Sequence, residues 1–177
     1  FNARGDTAGA IDVVDERFAR HGVSVPLALL KAQLLGSIGD TDGVATALEE
    51  AISAAPDGVD LRVNLARFYE SFGEPARAEA TLREVFHQLA QHGVDLEGMI
   101  LKPNMVVSGS EAGDRAGPEA VAEMTLACFL HTVPAALPGI AFLSGGQSDE
   151  EATVNLDAIN RLADDVGAPW RLTFSYG

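Results

Sequence analysis

One lysine and two glycine-containing turns are the parts of this 177-residue chain whose residue types could do chemistry together. Lys102 ends a short apolar run, residues 99–101, and proline and asparagine follow it at once. Two later apolar runs, residues 140–143 and 172–174, also end in turns, Ser144-Gly145-Gly146-Gln147 and Ser175-Tyr176-Gly177. A lysine in a partly apolar site can attack a carbonyl as a neutral amine and form a Schiff base. Glycine turns leave backbone N–H groups free to bind phosphate. The combination predicts a phosphorylated carbonyl substrate.

The elements that would position these residues alternate between strands and helices. Helical patterns at residues 118–131 and 149–164 separate the three apolar runs. Pro118 suits the first turn of a helix, and Ser148 with Glu151 predicts a capping box. Connections of this length join parallel strands by right-handed crossovers. The carboxyl half therefore predicts a three-stranded parallel βαβαβ segment with its chemistry at the carboxyl ends of the strands.

The first 78 residues carry an internal repeat. The pairs Gly5-Asp6, Gly39-Asp40 and Gly73-Glu74 recur every 34 residues, and each pair opens a helical pattern. A further helix, residues 27–38 and then 61–72, precedes the second and third pairs. A period of 34 built from two antiparallel helices is typical of tetratricopeptide repeats. Such repeats can offer a groove for a peptide or protein partner, or they can be a helical scaffold alone.

Composition narrows the class of partner. The formal charge is −14, from 26 acidic and 12 basic residues, which argues against nucleic acid and against an anionic membrane surface. The sequence contains no apolar run of membrane-spanning length. A single cysteine, Cys128, lies among apolar neighbours, so we expect an inert core thiol and a cytoplasmic protein. We expect neither a metal site nor a cofactor.

Three motifs together resemble the class I fructose-bisphosphate aldolase family. They are LEGMILKPNM at 96–105, GIAFLSGGQSDEEA at 139–152 and LTFSYG at 172–177. The resemblance extends from about residue 79 to the last residue and includes EATLREVF at 79–86. It implies an eight-stranded TIM barrel in which the three apolar runs are the sixth, seventh and eighth strands.

The resemblance also implies roles for individual residues. Lys102 would be the catalytic Schiff-base lysine for dihydroxyacetone phosphate. Ser144, Gly145 and Gly177 would bind the substrate phosphate, and Leu143 would line the same pocket. The implied activity is that of a glycolytic lyase, the reversible cleavage of fructose 1,6-bisphosphate to dihydroxyacetone phosphate and glyceraldehyde 3-phosphate, without a cofactor.

The sequence therefore predicts an α/β protein with an all-α N-terminal part. Tetratricopeptide-like helix pairs would occupy residues 1–78, and a partial aldolase-type barrel residues 79–177. The family's first five strands, with an aspartate, two further lysines and a glutamate of the active site, have no counterpart here. We therefore expect an aldolase fragment that is inactive as an isolated chain, and whether it is an enzyme stays open. The alternatives are a repeat-type interaction module fused to a non-catalytic aldolase remnant, and two joined coding sequences without a joint function.

Overall fold

The computed structural model describes residues 7–71, 74–108, 115–143 and 145–175. The chain divides into two compact units, Phe1–Leu65 and Ala66–Gly177. The division falls inside one helix, α4 at Val59–Ser71, so its first half belongs to the first unit and its second half to the second.

Helices α1 at Thr7–His21, α2 at Val25–Ser37 and α3 at Thr41–Ala54 form the first unit with the start of α4. Helix α2 packs against both α1 and α3. Short links join these helices, which makes consecutive helices antiparallel neighbours. Small and apolar side chains from three helices make the core, with Ala28 and Ala51 completely buried and Leu61 5% exposed. The predicted helix-pair repeat is confirmed.

The second unit continues with α5 at Pro75–Gln91, a 3-10 turn at Leu96–Gly98, α6 at Pro118–Thr132 and α7 at Asp149–Val166. Both predicted crossover helices, α6 and α7, are confirmed. Pro118 occupies the first turn of α6, and the capping box of Ser148 with Glu151 starts α7. Of the helices within the described ranges, none combines the length and the apolar character that crossing a membrane requires.

Two of the three predicted strands are present. Strand β1 at Gly139–Phe142 pairs in parallel with β2 at Arg171–Phe174, with Ile140 opposite Leu172. The prediction of a third strand at residues 99–101 is wrong, because this segment makes only one isolated parallel bridge, between Leu101 and Ile140. Pro103 gives the physical reason: it has no N–H to continue the ladder two residues later.

The core of the second unit lies between β1 and the helices that flank it. The rings of Phe129 on α6 and Phe142 on β1 stack with centroids 5.8 Å apart, and both are completely buried. Every residue of β1 is buried, whereas β2 alternates between exposed and half-buried residues. Strand β1 is therefore the centre of the unit.

Candidate active site

Strand β1 covers one edge of the segment that carries Lys102. The N–H of Leu101 donates to the Gly139 carbonyl at 3.3 Å, and the Ala141 N–H donates to the Leu101 carbonyl at 2.8 Å. Two residues further on, the Leu143 N–H donates to the Pro103 carbonyl at 2.9 Å. Residues 101 and 103 therefore turn their backbone groups towards β1, as alternate residues do in a parallel sheet.

Helix α4 covers the other edge of the same segment. The Arg67 Nε donates to the Lys102 carbonyl, and the Asn104 N–H donates to Glu70 Oε2 at 2.8 Å. The Asn104 side chain donates in return to the Arg67 carbonyl at 3.0 Å, and the Val107 N–H donates to the Glu70 carbonyl at 3.3 Å. Residues 102 and 104 are thus held by groups of a helix.

The first glycine turn lies against this segment. Gly145 and Gly146 both have left-handed φ angles, +57° and +83°, which only glycine adopts at little cost. A Cβ atom on Gly145 would lie 3.3 Å from the Cγ of Asn104, so the backbone of the turn approaches Asn104 closely. One residue further, the Gln147 amide contacts the Met105 sulfur at 3.6 Å. The turn after β1 and the residues after Lys102 therefore meet at one end of the sheet.

The predicted site residues divide into those with a described position and those without. The side chain of Lys102 is exposed to solvent, whereas Leu143 and Gly145 are half-buried. Among the residues that the structure describes, Lys102 therefore does not have the partly apolar enclosure expected from the sequence. Ser144 and Gly177 lie outside the described residues. Ser175 is the first residue of the second turn, and its N–H donates to the Phe142 carbonyl of β1 at 2.8 Å.

Glu70 is a residue that the sequence analysis did not single out. Its side chain is completely buried, and burial raises its pKa from an ordinary 4.5 to about 8, against the opposing effects of the Asn104 N–H and the Arg67 charge. Its second oxygen, Oε1, has no hydrogen-bond partner among the described residues. The signal was in the repeat: Glu70 follows Ala66 by four residues, on the apolar face, where the preceding repeat has Gly36.

A cavity of about 600 Å³ lies beside the glycine turn but not at Lys102. Val107, Gly146 and Val154 line it, and Arg115 at its wall pairs with Glu151 at 2.9 Å. The lining of this cavity therefore includes the glycine turn and one ion pair, whose two partners are both exposed to solvent.

The cysteine thiol, which could be reactive elsewhere, is inert in this fold. Cys128 is completely buried, and burial raises the pKa of its thiol to about 12, as the sequence predicted for a core cysteine. Over the ranges described, no three or more histidine, cysteine, aspartate or glutamate side chains are grouped so that they could hold a metal ion.

Two known families match different parts of the chain. The family model for fructose-bisphosphate aldolase class-I matches residues 75–177, and that for the tetratricopeptide repeat matches residues 38–95. The two matches overlap over residues 75–95, which contain all of helix α5. The tetratricopeptide-like repeat predicted from the period of 34 is confirmed.

Individual relatives agree with the first family. Fructose-bisphosphate aldolase 4, cytosolic, of Arabidopsis thaliana is 54% identical over 99 residues, which are 56% of this chain and 25% of that protein. Fructose-bisphosphate aldolase B of Gallus gallus is 52% identical over 99 residues, 27% of its length. The chain thus spans about a quarter of the length of these curated relatives.

A solved structure is similar as well. The fructose-bisphosphate aldolase of Plasmodium falciparum, in complex with TRAP and a small-molecule inhibitor, matches 67% of this chain and 30% of its own, with a TM-score of 0.53 and 42% identity. The motif around Lys102, both parallel strands and the glycine turns all fall in the matched part of the sequence, residues 75–177. Through that part, the chain belongs to the class I fructose-bisphosphate aldolase family.

Proposed function

We propose that this chain carries the Schiff-base lysine and part of the phosphate site of a class I fructose-bisphosphate aldolase. The observation that carries the proposal is local: the exposed Lys102 and the glycine turn at Gly145 lie at one end of the sheet, joined through Asn104. One small molecule could therefore react with Lys102 through its carbonyl carbon and bind to the turn through its phosphate. The substrate class is therefore a ketose phosphate, with dihydroxyacetone phosphate as its simplest member.

The chemistry at Lys102 begins with the neutral amine. Its nitrogen adds to the C2 carbonyl of the ketose phosphate, and loss of water gives a protonated imine. When the C3–C4 bond of fructose 1,6-bisphosphate breaks, the C4 hydroxyl loses its proton, glyceraldehyde 3-phosphate leaves, and the iminium accepts the electron pair of the bond and becomes an enamine. A proton added to C3 restores the iminium, and its hydrolysis then returns dihydroxyacetone phosphate and the free lysine.

Backbone N–H groups of the turn would bind the phosphate. Gly145 and Gly146 have the consecutive left-handed φ angles that expose N–H groups, and Ser144 and Gly177 would complete the site. Residues 92–177 contain 12 acidic and four basic residues, a charge of −8, so bulk electrostatics oppose an anionic ligand. Binding must therefore depend on local N–H donors and on Lys102.

This chain would form the imine at Lys102 but would not cleave the C–C bond. Cleavage of the C–C bond needs the acid and base groups that the resemblance assigns to strands absent from this sequence. We therefore propose imine formation without measurable cleavage of fructose 1,6-bisphosphate, in a cytoplasmic aldolase fragment of the TIM-barrel type.

Borohydride trapping tests this function. The chain is incubated with dihydroxyacetone phosphate and sodium borohydride, and the reduced adduct is located by peptide mapping. We expect the adduct on Lys102, its loss in Lys102→Met, and no adduct on Lys31, which is the only other lysine and pairs with Asp15 at 2.7 Å. Equal labelling of Lys31 and Lys102, or no adduct at all, would refute the proposal.

The second candidate is a protein-interaction module with a non-catalytic aldolase segment. The observation in its favour is the tetratricopeptide match over residues 38–95 together with the packed helix pairs of the first unit. If this function is correct, no adduct should form at Lys102, and a peptide or protein partner should bind to the repeats. The trapping experiment therefore separates the two.

A further inference from the structure

We propose that Arg67 and Glu70 are positioning residues for Lys102, because they take the place of a neighbouring strand along the outer edge of the Lys102 segment. The inference rests on the proposed function, since it concerns how the Schiff-base lysine is held. It assigns a role to residues that lie outside the part matched to the aldolase family, residues 75–177.

The hydrogen-bond pattern of the segment carries the first step. In a parallel ladder, the N–H and C=O of one residue point to one neighbour, and those of the next residue point to the other. Leu101 and Pro103 point to β1, so Lys102 and Asn104 must point to the opposite edge. There the Lys102 carbonyl accepts from Arg67 and the Asn104 N–H donates to Glu70. The hydrogen bonds of successive residues thus alternate between two sides, as in a strand that lies between two others. Here one side is strand β1 and the other is helix α4.

The second step explains why side chains must do this. The backbone groups inside a helix are already bonded to one another, so a helix cannot offer a ladder to a strand edge. What it can offer are its side chains, the last four carbonyls, which lack partners within the helix, and the second lone pair of an inner carbonyl such as that of Arg67. Arg67 supplies a donor, Glu70 supplies an acceptor, and the Glu70 carbonyl in the last turn accepts from Val107.

The burial of Glu70 and Asn104 indicates that the hydrogen bond between them is a stable part of the structure. Glu70 is completely buried and Asn104 is 9% exposed, so a lost hydrogen bond here could not be replaced freely by water. Asn104 also lies against the Gly145 turn, which connects the α4 edge to the proposed phosphate site. A shift of the Lys102 backbone would therefore change the distance between the amine and the turn.

The experiment measures the borohydride trapping rate of the full chain against the concentration of dihydroxyacetone phosphate. We expect Arg67→Met to lower the maximal trapping rate about tenfold, since small misplacements of a reacting group have effects of this size or larger. The half-saturating concentration should stay within twofold, because the Arg67 side chain donates to the Lys102 backbone and its loss acts on the position of the amine. Arg67→Lys, which keeps a cationic donor, should recover most of the rate.

Arg62→Met is the matched control. Arg62 lies on the same helix and also donates to a backbone carbonyl, that of Pro56. A trapping rate for Arg67→Met within twofold of the Arg62→Met rate would overturn the proposal, as would an equal loss in Arg67→Lys.

Amide hydrogen exchange at Leu143 separates failure of the inference from failure of the function. This N–H donates to the Pro103 carbonyl and reports whether the segment stays on β1. If the unsubstituted chain gives no adduct, the proposed function fails and exchange alone decides. Leu143 should then exchange about tenfold faster in Arg67→Met than in Arg62→Met, and equal exchange would overturn the inference.

Discussion

Helix α4 and strand β1 hold the two edges of the Lys102 segment by different means. Strand β1 uses backbone groups, in three hydrogen bonds that involve Leu101, Pro103 and their partners. Helix α4 uses chiefly the side chains of Arg67 and Glu70. A backbone ladder depends little on side-chain identity, whereas the helical edge depends on two particular residues. The segment should therefore tolerate most substitutions in β1 that keep its burial, but few at positions 67 and 70.

The largest effect should come from breaking the backbone edge. Ala141→Pro removes the N–H that donates to the Leu101 carbonyl at 2.8 Å and places a proline in the central strand of the unit. We expect the free energy of unfolding of the second unit to fall by about 3 kcal/mol. Urea unfolding followed by the fluorescence of Trp170, the single tryptophan, measures this. Ala141→Ser keeps the N–H and should change stability far less. Equal losses in the two variants would contradict a role for the ladder.

A smaller effect should come from ionising the helical edge. The folded chain holds the Glu70 proton up to a pH of about 8, whereas the unfolded carboxyl releases it near 4.5. Between these values the folded state binds more protons, so stability falls as pH rises and levels off above about 8. The charge of Arg67 on α4 opposes this rise in the pKa of Glu70, and Glu70 in turn helps to raise the pKa of the Cys128 thiol on α6.

The matched variant for this pH dependence is Glu70→Gln. Glutamine keeps an acceptor for the Asn104 N–H and cannot ionise. We expect the unsubstituted chain to lose on the order of 3 kcal/mol more than this variant between pH 5 and pH 8. Parallel stability curves for the two proteins over that range would show that Glu70 keeps an ordinary pKa.

Much of the fold could be predicted because it depends on local patterns. The period of 34 identified the repeat, and Pro118 with the Ser148–Glu151 capping box located the starts of α6 and α7. Strands β1 and β2 followed from their apolar runs. The apolar run at residues 99–101 does not form a third strand because Pro103, two residues after Leu101, has no N–H to extend the ladder.

The helical edge of the site could not be predicted in the same way. Nothing local in the sequence says that the end of α4 lies beside residues 102–107, which are more than 30 positions away. Glu70 gave one usable sign, a charged residue on the apolar face of a repeat helix. Long-range contacts of this kind depend on tertiary packing, which sequence periodicity does not contain.

Amide hydrogen exchange at Asn104 tests most directly whether side chains of α4 replace a strand at Lys102. This N–H donates to Glu70 Oε2 at 2.8 Å, so it should be protected in the unsubstituted chain and in Glu70→Gln. In Glu70→Met it should lose at least about tenfold in protection, the equivalent of a hydrogen bond of roughly 1.4 kcal/mol, while Ala141 keeps its own. Protection of Asn104 that is unchanged in Glu70→Met would contradict the account.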